Sequence, residues 1–249
     1  MIPVTRHLSP VTWAYVLVSA PLGVMAGLAL GKLVLPVLNA ALVFPVFALY
    51  AARQRHGQNV ALMLLWAFML AVSVTTVTLL APDWAGLRII RGETYKAEMF
   101  RWIETGVGPE GDPRQFIPQH AKHYALFLVL SLVSGGALAL AMGAVLMNYM
   151  SFYVGCLFLV TESDWIVLLM GWPVWSVVRV VGFVVAAVAL SEVFYPLVRR
   201  SRPSWPTVGR YMAVSLGLIM ADILLKSALA PVWQRVLQAA LTSPPAAAG

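Results

Sequence analysis

His120-Ala-Lys-His123 sets two imidazoles three residues apart, on one face if the segment is helical. That is part of a metal site. Zinc needs at least a third ligand, and the carboxylates of Glu98, Glu104 and Glu110 lie in the preceding segment. A second set consists of charges standing alone in apolar runs: Arg179, Glu192, Asp222 and Lys226. Asp222 and Lys226 are four apart and able to pair on a helix, while Trp175 stands one turn before Arg179 and offers it a ring face. Two chemistries follow. Arg179 and Lys226 suit a pocket of net positive charge for an anionic headgroup or small anion. With His120, His123 or Asp222 as acid or base, the same residues suit catalysis on such a substrate.

Other chemistries lack their residues. Gly27-Leu-Ala-Leu-Gly31-Lys32 has the wrong spacing for a phosphate loop and no following hydroxyl. No HExxH or GxSxG occurs. A bis-histidine haem needs two imidazoles at one depth on facing helices, whereas His7 and His56 fall on the inside and His120 and His123 on the outside; no cofactor is expected. The single cysteine, Cys156, lies in the apolar run 154–160 and reads as a small buried hydrophobe.

These residues need a scaffold, and composition names it. Of 249 residues, 61% are hydrophobic and 11% charged, against about 25% charged in a soluble domain. So few charges cannot solvate a water-soluble surface. A spanning helix needs about 20 mostly apolar residues. Val11–Gly31, Leu33–Ala52 and Val60–Ala81 meet that length, and residues 123–160 hold two further spans, read as Gln119–Leu140 and Met142–Thr161. Trp165–Met170 reads as a half-helix, followed by spans Val174–Leu197 and Val208–Ala230. The expected fold is an all-α integral membrane protein, a bundle of about seven transmembrane helices with an external amphipathic loop helix. It divides into helices 1–3 (residues 1–81), the loop (82–119), helices 4–7 (120–230), and an amphipathic helix with a disordered tail (231–249). In the loop, Glu93–Glu104 gathers Tyr95, Met99, Trp102 and Ile103 on one face. That face would rest on the bundle or headgroups, or form a lid over the charged cluster.

Asp222-Ile-Leu-Leu-Lys226 in a seventh helix resembles the D-x-x-x-K of microbial rhodopsins, in which the lysine carries retinal. The resemblance covers five residues. Val60–Ala81 has no carboxylate to serve as counter-ion, and the long loop after it does not suit that compact bundle.

Orientation follows from charge. Arg6, Arg53/Arg55 and Arg199/Arg200/Arg202/Arg210 fall on one side, while Glu162, Asp164 and the loop carboxylates fall on the other. By the positive-inside rule the expected location is the inner (plasma) membrane, multi-pass, with a cytoplasmic N-terminus. The net charge of +7 is thereby accounted for without nucleic acid. Glu192 falls near the inner end, where Arg199 and Arg200 would neutralise it.

Small residues four apart, Gly23/Gly27/Gly31, Ser131/Gly135/Ala139 and Ala213/Gly217/Ala221, allow close helix approach. They serve packing within the bundle, or a seam to a membrane-protein partner or second copy through Gly23, Gly27 and Gly31. The expected function is a non-enzymatic permease-like component or an integral subunit of a larger membrane complex. The alternative is an intramembrane enzyme acting on a lipid-linked or anionic substrate from the outer face. That alternative requires His120 and His123 to lie within reach of Arg179.

Overall fold

A computed structural model describes residues 10–242; Arg6, His7 and the expected disordered tail after Thr242 lie outside the described residues. Among the described residues the regular structure is all helical: α1 (Pro10–Leu30), α2 (Val34–Ala52), α3 (His56–Leu80), α4 (Pro82–Arg88), α5 (Gly92–Thr105), α6 (Pro113–Ser134), α7 (Ala137–Val160), α8 (Asp164–Met170), α9 (Val174–Val198) and α10 (Trp205–Thr242). Six of these, α1, α2, α3, α7, α9 and α10, are long and apolar enough to cross a membrane. The chain is a multi-pass helical membrane protein.

The expected fourth span, α6, has 22 residues, about 33 Å at 1.5 Å per residue. Its first half carries Arg114, His120, Lys122 and His123, and only the second half is continuously apolar. Hydrogen bonds show which turns share an end of the bundle. Arg199 donates to the Ala52 carbonyl and Tyr195 to that of Gly135. At the opposite end, Trp233 donates to Met170 O, and Gln234 and Gln238 donate to Ile103 O and Glu104 O. The second end, where α5 sits, is the loop end.

A continuous core runs through α1, α2, α3, α7 and α9, with Val24, Phe47, Leu70, Phe152 and Ala186 fully or nearly buried. A smaller cluster, Met99, Trp102, Ile103, Tyr153, Trp175 and Leu237, holds α5 against α7 and α10. The amphipathic face expected of Glu93–Glu104 is the face that packs.

The α6–α7 break falls at Gly135 and Gly136, not near residue 141. Both have left-handed backbones, φ +59° and +99°, which glycine adopts without a Cβ penalty. Gly135 therefore makes a turn instead of extending a packing stripe. In the first stripe, a Cβ on Gly27 would stand 2.7 Å from Leu35 Cα, and one on Gly23 would stand 3.0 Å from Asn39 Oδ1. These two glycines face α2 of the same chain, while Gly31 (φ +123°) makes the turn between α1 and α2.

The expected span and separate amphipathic helix at the C-terminal end are one helix, α10, that runs through Pro231. An interior proline costs about 3 kcal/mol or more. Here the turn beyond it is tethered by Trp233, Gln234 and Gln238, and the two glutamines satisfy carbonyls that the end of α5 leaves without helical partners. Glu192 differs too. Its carboxylate lies 3.6 Å from His56 Nε2, while Arg199 is spent on a backbone carbonyl.

Candidate functional site

Between α3, α6, α7 and α9, under α5, lies a cavity of about 910 Å³ counting its open mouth. Its walls change character with depth. Toward the loop end they are Tyr95, Glu110, Gln119, His120, His123, Tyr149 and Arg179; deeper in they are Met63, Trp66, Phe127, Leu140, Met147 and Phe183.

α9 and α6 supply the central contact. Arg179 and Ser176 are one turn apart on α9, and Arg179 Nη2 donates to Ser176 Oγ at 3.0 Å. Arg179 Nη1 meets His120 Nε2 on α6. On its other side His120 Nδ1 lies 3.0 Å from Asp222 Oδ2, and Asp222 is fully buried on α10. Arg179 Nη1 also lies 3.3 Å from His120 Nδ1, so the guanidinium stands against both ring nitrogens, while Asp222 meets the ring at contact distance without an aligned hydrogen bond. One turn deeper, the hydroxyls of Tyr124 and Ser215 lie 2.8 Å apart, and Ser215 donates to Gly182 O at 2.7 Å, tying α6, α10 and α9 together.

The loop after α5 supplies the other contact. Gly106 (φ +70°) ends α5 in the left-handed region. At Gly111 a Cβ would stand 2.8 Å from Trp102 Nε1, so only glycine lets the chain fold this tightly over that ring. Asp112 then caps α6 by accepting from the Arg114 N–H at 2.9 Å, with Pro113 opening the helix. Between these fixed points Glu110 turns inward, its Oε2 2.7 Å from Lys226 Nζ. Lys226 is fully buried, and its ammonium lies 4.5 Å from the centre of the Phe116 ring.

Burial pushes the Glu110 carboxyl up, but the charge and hydrogen bond of Lys226, followed by Arg179 and His120, outweigh it and hold the group below the ordinary 4.5. Burial, and after it the charge of Glu110, drives the Tyr95 hydroxyl well above 10.0, so it meets the cavity as a neutral group.

The structure joins Arg179, Asp222 and Lys226 in one region but rearranges their pairing. Asp222 and Lys226, expected to pair with each other, turn to His120 and Glu110. Neither of them lines the cavity; they stand behind residues that do. Two carboxylates, Asp222 and Glu110, now balance two cations, Arg179 and Lys226, where a net positive pocket was expected. Trp175 packs against Trp233 with ring centres 5.1 Å apart, and the ring that meets a cation is Phe116. His120 and His123 both reach the cavity wall. His120 is engaged by Asp222 and Arg179, and among the described residues no three His, Cys, Asp or Glu side chains are grouped to hold a metal ion. Glu110 was legible only as one of several loop carboxylates. The glycines and prolines around it mark a turn, and nothing local says that the turn points inward.

Compared with protein-family models, curated proteins and solved structures, the chain matches none.

Proposed function

We propose that this chain is a permease-like component of the inner membrane, with a cytoplasmic N-terminus and the loop end outside. In this reading its cavity takes an anionic ligand at Arg179. One observation carries it. Arg179 lies on the cavity wall with neutral hydrogen-bond partners, His120 and Ser176, and among the described residues no carboxylate is within ion-pair distance of it. A guanidinium in an apolar helix is costly, and such charges mark ligand and ion pathways. Its planar fork suits a phosphate or carboxylate. Asp222 is screened from the cavity by His120 and Glu110 is held by Lys226, so both carboxylates can balance the resting charge without occupying Arg179.

The test uses detergent-purified full-length protein with inorganic phosphate or sulfate as probe. Either anion should raise the melting temperature of the wild type; Arg179→Gln should abolish the rise and Arg179→Lys should keep part of it. An equal rise in wild type and Arg179→Gln would remove this reading.

A second reading, an intramembrane enzyme acting on an anionic or lipid-linked substrate from the outer face, is favoured by the Asp222–His120 contact. A carboxylate that fixes a histidine tautomer leaves Nε2 as the basic atom. An anion drawing Arg179 toward itself would free that atom. In this reading His120→Gln eliminates turnover while phosphate still stabilises the protein. In the permease-like reading, transport survives that substitution.

A further inference from the structure

We infer that the ligand of this site is an anionic membrane lipid, which reaches Arg179 sideways from the bilayer and leaves its hydrocarbon chain in a groove beside α9. The inference deepens the anion reading above and rests on it.

A second concavity, apolar and about 1510 Å³ counting its open side, runs between α3, α7 and α9, with Leu168 of α8 at its side. Phe68, Val72, Leu168 and Val177 on its walls are exposed on the apolar surface of the bundle, so the groove faces hydrocarbon in a membrane. It adjoins the headgroup cavity: Ala67, Met147, Met150 and Val180 line both. Polar groups also meet across this boundary. Ser176 lines the groove, and its hydroxyl accepts from Arg179, which lines the cavity. A molecule spanning both spaces needs an anionic group for Arg179 and an apolar chain for the groove. It also needs no route through water, because the groove opens where lipid chains already are. A small soluble anion would leave the groove and the apolar depth of the cavity unused.

The test reconstitutes full-length protein in phosphatidylcholine vesicles doped with phosphatidic acid carrying a mid-chain diazirine. Crosslinked peptides are then mapped by mass spectrometry. The outward residues Met25 and Leu224 report ordinary lipid contact. Groove peptides of α3 and α9 should label severalfold above those controls. The excess should disappear in Arg179→Gln and in Val177→Trp, which fills the groove from an exposed position without touching the polar site. A phosphatidylcholine diazirine should show no excess.

If groove labelling equals the controls and ignores Arg179→Gln while inorganic phosphate still stabilises the wild type, the lipid assignment falls and the anion site stands. Equal excess from phosphatidylcholine would also overturn it. If neither probe depends on Arg179, both readings fall.

Discussion

His120 Nδ1 lies 3.0 Å from Asp222 Oδ2, joining the polar half of α6 to a fully buried carboxylate on α10. The contact makes a histidine outside any apolar run the centre of the site, with a carboxylate behind it and a guanidinium in front.

Asp222→Asn keeps an acceptor oxygen beside His120 but removes the buried negative charge that stands behind it and compensates Arg179. Losing a charged partner from a buried polar contact typically costs about 1.5–3 kcal/mol. Asp222→Asn should destabilise by about that much in detergent unfolding. Adding Lys226→Met should lower stability further, because it leaves Glu110 without its partner. Substantial recovery would mean that Asp222 and Lys226 are direct partners.

The Glu110–Lys226 pair should behave as its own unit. Lys226→Met alone leaves a carboxylate facing an apolar side chain, whereas Lys226→Met with Glu110→Gln removes both charges. The double variant should be more stable than the Lys226 single variant, by about 1–3 kcal/mol if a buried unpaired group is the defect. Additive effects would show that the contact contributes nothing.

Acid should release the same contact. The folded pKa of Glu110 is depressed, so its contribution is complete above the unfolded value. It is lost as pH falls below 4.5 and through the folded value. Hydrogen exchange at residues 106–112 should rise over that acid range in the wild type. In Glu110→Gln it should be fast already at neutral pH and less sensitive to acid. The wild-type dependence surviving in Glu110→Gln would assign it to another carboxylate.

Glycine substitutions should separate packing from lipid exposure. Gly27→Leu places a side chain against the α2 backbone at Leu35, an overpacking defect of about 1–3 kcal/mol. At Gly217 a Cβ meets nothing within 4 Å. Gly217→Ala should be neutral, or stabilising by up to about 1 kcal/mol through helix propensity. Folded yield and melting of the two variants check this, and a tolerated Gly27→Leu would contradict the α1–α2 contact.

Orientation is checked by single cysteines in a Cys156→Ser background. Cysteines at Gly108 and Ser163 should react with an impermeant thiol reagent from outside, and those at Gln54 and Ser201 should not. A reactive Ser201 position would invert the topology.

The sequence by itself determined the class, most of the spans and the packed face of α5. Those depend on properties summed along the chain: apolar length against bilayer thickness, and side-chain periodicity on a helix. It also marked Arg179, Asp222 and Lys226, because a charge in an apolar run stands out against its neighbours. Pairing was decided by the tertiary structure. Whether Lys226 meets Asp222 four residues away or Glu110 in a distant loop depends on where Gly106 and Gly111 turn the chain. Whether Glu192 meets Arg199 or His56 depends on how α3 lies against α9. Local spacing states which contacts a helix permits, whereas the packing of other helices selects among them. The α10 helix gives the same lesson: Pro231 ends a helix when only the local backbone is weighed, and bonds from Trp233, Gln234 and Gln238 to other segments carry it through.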